Sequence, residues 1–254
     1  MAGVALGNPC RVDIFTESES PLIPESGEFP YCATWREASR GHEERAQVKC
    51  WTHQGSPIQL CGHGLLCAVA AWSQFDPNVV ELEMNGLPIA FRIEDDLAWI
   101  GLPTVPCDAC AVPFWVREFF QDVPWRAAIA GGDNGYLVLE WPADFDLERL
   151  SVPSESLAAF TQRSIVATSA AQTWPEYDVL LRYFAANHGV PEDTATGSAM
   201  RVLASYWMRR ELNGELAARQ CSTLGGELFS RLRENLTWIG GRVINLSTEG
   251  RHAA

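Results

Sequence analysis

Basic residues are scarce in this sequence. Lys and Arg number 19 against 32 Asp and Glu, a formal net charge of −13. A polyanion binder displaces counterions with a surplus of Lys and Arg, so nucleic acid is not an expected partner. An anionic membrane surface is disfavoured on the same ground. Long apolar runs are missing too. The longest nearly charge-free stretch, Leu60 to Trp72, is too short to span a bilayer and contains His63. The N-terminus has no basic start leading into an apolar run, so it does not read as a signal peptide, and a cytoplasmic location is expected. No dinucleotide fingerprint and no P-loop is present. Cys107 and Cys110 form a C-x-x-C with no second pair at zinc spacing, and Cys50, His53, Cys61 and His63 fit no usual zinc pattern. Neither a metal nor a cofactor is therefore expected. The eight cysteines are read as reduced thiols rather than a disulfide framework, which belongs to short secreted chains.

What remains is an ordinary globular composition, 47% apolar and 20% charged, over 254 residues. That length allows one large domain or two modest ones. An internal repeat favours two units. The run Cys61-Gly-His-Gly-Leu-Leu-Cys-Ala-Val-Ala-Ala-Trp72 aligns with Thr196-Gly-Ser-Ala-Met-Arg-Val-Leu-Ala-Ser-Tyr-Trp207. Gly62 falls on Gly197, His63 on Ser198, Gly64 on Ala199 and Trp72 on Trp207. Each run opens on small polar residues and continues as an apolar stretch long enough for a buried helix. Two unrelated core helices sharing small residues would give a similar match, so the repeat alone does not decide.

Short strands surround each helix. Val80, Leu82 and Met84 alternate with polar residues, followed by Asn85-Gly86 and then Ile89, Phe91 and Ile93, which predicts a hairpin with a tight primed turn. Tyr136 to Trp141 and Asp178 to Phe184 read as buried strands, with Gly131 to Gly135 as a turn before the first. Leu236 to Ile239, Gly240-Gly241 and Val243 to Leu246 suggest a second hairpin. The proline-punctuated run from Pro103 to Pro113 reads as a linker. The expected fold class is α+β: two halves, 1–105 and 106–254, each a bent sheet around a central helix, near 61–75 and 196–210. The last strand is a candidate to return to the first half.

Helix starts of this kind suit a small acid. Their backbone N–H groups lack intrahelical acceptors and carry the positive end of the dipole. Two such starts facing each other would hold a carboxylate between the halves, and Gly62 and Gly197 would let the backbone approach closely. Cys61 at the first start is expected to have a lowered thiol pKa. His63 is a candidate donor, acid or base. Glu192 and Asp193, ahead of Thr196, Gly197 and Ser198, offer a carboxylate as general base. Each residue also has an ordinary role: Cys61 as an inert buried thiol, His63 as a capping or core histidine, Asp193 as an N-cap, Ser198 as a backbone acceptor.

At these motifs the sequence resembles the phenazine-biosynthesis PhzF-like family of the diaminopimelate-epimerase fold. The matching pieces are Gly7-Asn8-Pro9, LCGHG at Leu60 to Gly64, EDTATGSAM at Glu192 to Met200, LASYW at Leu203 to Trp207, and AARQCSTLGGEL from Ala217 to Leu228. They lie in family order over most of the chain. The resemblance implies a pseudo-twofold fold of two barrel-like halves with central helices. It also implies cofactor-independent proton transfer on a small carboxylic acid in the cleft between them, and a homodimer. Carried over residue by residue, Gly62 and His63 fall at the first-half site and Asp193, Gly197 and Ser198 at the second, with Gly64 and Thr196 beside them as further candidates for substrate binding.

The sequence departs from the family in two places. The family's isomerases carry an acid/base glutamate upstream of the CGH run, and the matching place here, near Tyr31-Cys32-Ala33-Thr34, best puts Ala33 where that glutamate would stand. Glu28 or Glu37 is the nearest substitute. The chain also begins almost at Gly7-Asn8-Pro9, so the strand that usually precedes this block is expected to be missing, leaving a sheet edge to cover. The related cysteine-dependent racemases and epimerases place a Cys at each helix start, and here the second position is Thr196, so a symmetric two-thiol racemase is not expected. Three readings stay open. The first is an isomerase using Asp193 with His63 or Cys61. The second is a catalytically inactive small-acid binding protein. The third is an epimerase or dehydratase of a proline-like amino acid using Cys61.

Overall fold

The architecture is described from a computed structural model, over residues 7–15, 27–36, 44–208 and 214–244. The first half runs β1 (Arg11–Phe15), β2 (Tyr31–Arg36), β3 (Glu44–Trp51), β4 (Pro57–Ile58), α1 (Gly62–Phe75), β5 (Val79–Met84), β6 (Leu87–Glu94) and β7 (Leu97–Pro103). Then come β8 (Cys107–Cys110), the short α2 (Val116–Phe120) and β9 (Arg126–Ala130). The second half repeats the first: β10 (Tyr136–Glu140), β11 (Ser164–Ala170), β12 (Val179–Ala185), β13 (Val190–Asp193), α3 (Gly197–Met208), β14 (Glu215–Gln220), β15 (Gly226–Arg233) and β16 (Leu236–Arg242).

The pairings repeat as faithfully as the order. β1 runs parallel to β2, β2 antiparallel to β3, β3 parallel to β5, and β5, β6 and β7 are antiparallel neighbours. β10, β11, β12, β14, β15 and β16 follow the same sequence of orientations. β7 and β16 then join antiparallel and weld the halves into one sheet. The final strand β16 thus belongs to its own half and also closes on the first.

Each half wraps its own helix. α1 packs against β1, β2, β3, β5, β6 and β7, and α3 against β14, β15, β16 and β8. Both helices are apolar on most sides, as a helix enclosed by a sheet must be. One polar device recurs in both cores. Trp72 donates its indole N–H to Thr34 Oγ1 at 2.7 Å, and Thr34 donates to the Gln47 carbonyl at 2.8 Å. In the second half Trp207 donates to Thr168 Oγ1 at 3.1 Å, and Thr168 donates to the Leu180 carbonyl at 2.8 Å. These threonines are fully buried, and each hydroxyl gives a core indole a hydrogen-bond acceptor.

The expected hairpin at Asn85-Gly86 is present. Both residues have positive φ, 52° and 78°, as a type I′ turn requires. Two expectations are corrected. Gly240-Gly241 is not a turn, because β16 runs straight through it and the hairpin partner of β16 is β15. The glycines are there for packing: a Cβ on Gly240 would meet the Trp99 ring at 2.8 Å and one on Gly241 would meet Leu66 at 3.2 Å. Reciprocally, a Cβ on Gly101 would meet the Trp238 ring at 3.2 Å, so each strand of the seam covers the other's glycine with a tryptophan. The proline-rich linker also contains more order than expected. Its Cys107–Cys110 stretch forms β8, an edge strand paired with β9.

The outer edge of β1 pairs with no other strand among the described residues, whereas its counterpart β10 carries β9 there. Among the described residues no helix is long and apolar enough to cross a membrane.

Candidate functional site

The two helix starts meet. A Cβ built on Gly62 would lie 3.3 Å from the Gly197 Cα, and one on Gly197 would lie 3.4 Å from the Gly62 Cα. Nothing larger than glycine allows this approach, and it brings the unpaired first N–H groups of α1 and α3 to one place. Gly64 has a separate constraint, since a Cβ there would fall 2.5 Å from the Cys50 sulfur.

Asp193 ends β13 and leads into α3. Its Oδ1 accepts from the Thr194 N–H at 2.9 Å and from Asn8 Nδ2 at 3.1 Å, and its Oδ2 accepts from the Thr196 hydroxyl at 2.6 Å. Gln220 fixes the same corner. Its amide nitrogen donates to the Asp193 carbonyl at 2.6 Å, and its oxygen accepts from the Thr196 N–H at 2.8 Å. Burial raises the Asp193 carboxyl above its ordinary value, against the pull of the Thr196 hydrogen bond and the charge of His63. Glu192 has a different task. It is held by the buried Arg182, with Arg182 Nε to Glu192 Oε1 at 2.6 Å and Nη2 to Oε2 at 2.8 Å. Arg182 also donates to the carbonyls of Leu147 and Leu150. Of the Glu192-Asp193 pair, Asp193 is the one at the helix junction.

His63 occupies the first turn of α1. Burial works against the charged ring, but the Cys67 thiolate, by hydrogen bond and charge, outweighs it, with Cys61 and Asp193 adding. The imidazole is pushed up to about 9. The Asp193 charge raises the His63 imidazole and the His63 charge lowers the Asp193 carboxyl, so the two sit within electrostatic reach across the junction of the halves.

Cys61 differs from expectation. It is the N-cap of α1, and its sulfur accepts from the Gly64 N–H at 3.3 Å. The thiol is raised well above its ordinary value by a hydrogen bond with Cys50 and by burial. Contact with a second thiol and loss of water outweigh the helix dipole. Thr196, at the matching place, has its hydroxyl committed to Asp193. Ser198 lies at the start of α3 beside Tyr183, whose phenol is raised mainly by burial.

Ala33 is fully buried and packs with Tyr31 and Trp51, while its neighbours Cys32 and Thr34 turn to α1 through the Gly64 carbonyl and the Trp72 indole. Of the two substitutes for the family glutamate, Glu28 is exposed, and Glu37 lies outside the described residues.

Several members of the site carry no obvious sequence signal as chemistry. Asn8 sits in the Gly7-Asn8-Pro9 block, and its contact with Asp193 spans 185 positions. Gln220 lies in the C-terminal block as an unremarked amide. Cys67 is four residues after His63, and that spacing places both on one face of α1, so this pair was readable. A cavity of about 380 Å³, lined by Cys107, Cys110, Trp125, Arg126 and Tyr206 among others, lies elsewhere, against β8 and β9.

Two sheet-wrapped halves with abutting glycine helix starts, and a carboxylate and an imidazole at their junction, define the class of the diaminopimelate-epimerase fold. Solved structures agree on the fold. A phenazine-biosynthesis PhzF family protein from Enterococcus faecalis superposes with a TM-score of 0.76 at 22% identity, over 95% of this chain and 92% of that one. A hydroxyproline epimerase from Agrobacterium vitis gives 0.51 at 12%, over 84% and 72%. The sequence model of the phenazine biosynthesis-like protein family matches residues 115–231. A phenazine biosynthesis-like domain-containing protein of Mus musculus is 33% identical over 215 residues, 77% of this chain and 74% of that protein. A Pseudomonas aeruginosa protein described as an uncharacterized isomerase is 38% identical over 205 residues, 79% and 76% of the two. The chain belongs to the phenazine-biosynthesis PhzF-like family.

Proposed function

We propose that this protein is an isomerase that moves a proton on a small carboxylic acid without a cofactor. The observation that carries this reading is the meeting of Gly62 and Gly197, with His63 on one side and Asp193 on the other. In this scheme the substrate carboxylate sits on the first N–H groups of α1 and α3. Asp193, in its ionised form, removes a proton from the carbon next to the carboxylate. The charge that develops is held by the same N–H groups. His63, protonated at neutral pH, returns a proton elsewhere on the molecule. An acid and a base set apart by their environments are the arrangement such chemistry needs. Cys61 acts here as a helix cap, with Thr196 holding Asp193. The name isomerase given to the Pseudomonas aeruginosa relative is consistent with this reading. The family resemblance further suggests that the working form is a homodimer, which light scattering would measure.

The test is exchange of solvent deuterium into a panel of small amino and hydroxy acids. Exchange that disappears in Asp193→Asn supports the proposal; absence of exchange into every compound sinks it. A second reading, a binding protein without turnover, is favoured by one observation: the β2 residues turned toward α1 are Cys32 and Thr34, and neither is a carboxylate. Calorimetric binding of an acid that shows no exchange would support that alternative.

A further inference from the structure

The proton-transfer scheme leaves an unusual group of thiols unused. Cys10, just before β1, and Cys67, on α1, come together with His63 so that the two sulfurs and a ring nitrogen all lie within 4.8 Å of one another. Cys67 and His63 are fixed on one face of a helix, while Cys10 arrives from a segment far away in sequence. The His63 Nε2 atom is buried and has no hydrogen-bond partner. All three residues are only partly buried, so an ion has a way in, and all eight cysteines are free thiols.

We infer that Cys10, His63 and Cys67 form a binding site for a zinc-like divalent cation. Two thiolates and one imidazole are a borderline-soft donor set, matched to zinc rather than to magnesium or calcium. Zinc–sulfur bonds of about 2.3 Å at tetrahedral angles put two sulfurs about 3.8 Å apart. The three donors reach that spacing by closing about 1 Å, within the range of side-chain rotation. Binding needs both thiols and the imidazole in their deprotonated forms, so any protons that Cys10, Cys67 and His63 carry go to solvent; the two thiolates then neutralise the ion's charge and the partly buried unit carries none. Three protein donors leave a fourth position for water, the pattern of an open rather than a closed site. Cys61 is outside the set because its sulfur caps Gly64 and contacts Cys50. The site shares His63 with the isomerase reading, so a bound ion would take that ring out of proton transfer; its test reads a spectrum rather than turnover, and the two readings can therefore fail separately.

The experiment uses the full chain, reduced and stripped of metal, titrated with Co²⁺. The expected result is one equivalent bound, with the visible bands of tetrahedral thiolate cobalt and displacement by Zn²⁺. Cys10→Ser and Cys67→Ser should each weaken binding by more than about tenfold, and Cys110→Ser should leave it unchanged. A second measurement needs no variant: Zn²⁺ should protect Cys10 and Cys67, but not Cys110, from alkylation read by mass spectrometry. The site is overturned if no stoichiometric cobalt spectrum appears, if the spectrum survives both Cys10→Ser and Cys67→Ser, or if Zn²⁺ protects neither thiol. It is equally overturned if the reduced protein ignores metal while mild oxidation joins Cys10 to Cys67, which would make them a redox pair.

Discussion

Gly62 and Gly197 stand back to back where the two halves meet, each leaving about 3.3 to 3.4 Å for a Cβ before the other's Cα. The neighbour on each side is backbone, which cannot rotate away. A methyl group at either position must therefore push the helices apart. Gly197→Ala is expected to cost about 1–3 kcal/mol of stability and to abolish binding of small acids, because the N–H groups of α1 and α3 lose their common focus. Gly132→Ala, where nothing lies within 4 Å, should stay within about 0.5 kcal/mol. Chemical denaturation and calorimetry on the two variants give the comparison.

Asp193→Asn separates chemistry from stability. Burial raises the carboxyl, so the folded site favours its neutral form. Its contribution to stability is then fully present at low pH and is lost as pH rises through the raised value. Above that value the ionised carboxylate carries the burial penalty, which an uncharged amide does not. The variant should lose at least about a hundredfold in exchange rate while its melting temperature at neutral pH is unchanged or higher. That gap in melting temperature should close in acid. Wild-type exchange should fall as pH drops through the raised Asp193 value. A variant that melts much lower at neutral pH would show that the three hydrogen bonds to Asp193 matter more than its burial.

The adjacent Glu192 should behave in the opposite way. It is bound at both oxygens by an arginine whose side chain is only 7% exposed. Arg182→Met strands that carboxylate and should cost about 3–5 kcal/mol, and the double variant Arg182→Met with Glu192→Met should recover most of it. Glu192→Gln should retain more exchange activity than Asp193→Asn. Urea denaturation and the exchange assay together check the assignment of one acid to structure and the other to chemistry.

Thr34→Val and Thr168→Val test the duplication itself. Each removes the acceptor of one buried indole, Trp72 or Trp207. Losing a buried hydrogen bond of this kind costs about 1–3 kcal/mol. Similar losses in the two halves are expected, and a cost confined to one half would mean that the matching geometry is not matched in energy.

The sequence makes the helices legible because their signals are local: small residues at the start, an apolar body, a tryptophan eleven residues on. The Asn85-Gly86 hairpin is equally local. What it hides are the contacts made across the repeat. Gly240 and Gly241 read as a turn because glycine pairs commonly make turns, yet here they clear space for Trp99 and Leu66 from the other half. The clue was a second repeat, Trp99-Ile100-Gly101 against Trp238-Ile239-Gly240, whose meaning depends on β7 and β16 pairing. The candidate site divides the same way. His63, Asp193 and the glycines stand at the helix starts that the repeat picks out, whereas Asn8 and Gln220, though inside matching blocks, and Cys10, just after one, take their places only through long-range folding. The Cys61 thiol is raised rather than lowered because the Cys50 hydrogen bond and burial, both made by folding, outweigh the helix start.

That last point is open to direct test. As a cap, Cys61 needs only a side-chain acceptor for the Gly64 N–H, and serine supplies one. Cys61→Ser should keep both the fold and most of the exchange activity, whereas Cys61→Ala should lose about 1 kcal/mol of stability with activity falling only as far as the helix start loosens. The opposite pattern would reverse the assignment. If Cys61→Ser melts like the wild type yet shows no exchange, the sulfur itself takes part in the chemistry. The one-sided cysteine epimerase would then displace the Asp193 and His63 scheme, since no capping argument distinguishes a hydroxyl from a thiol so sharply.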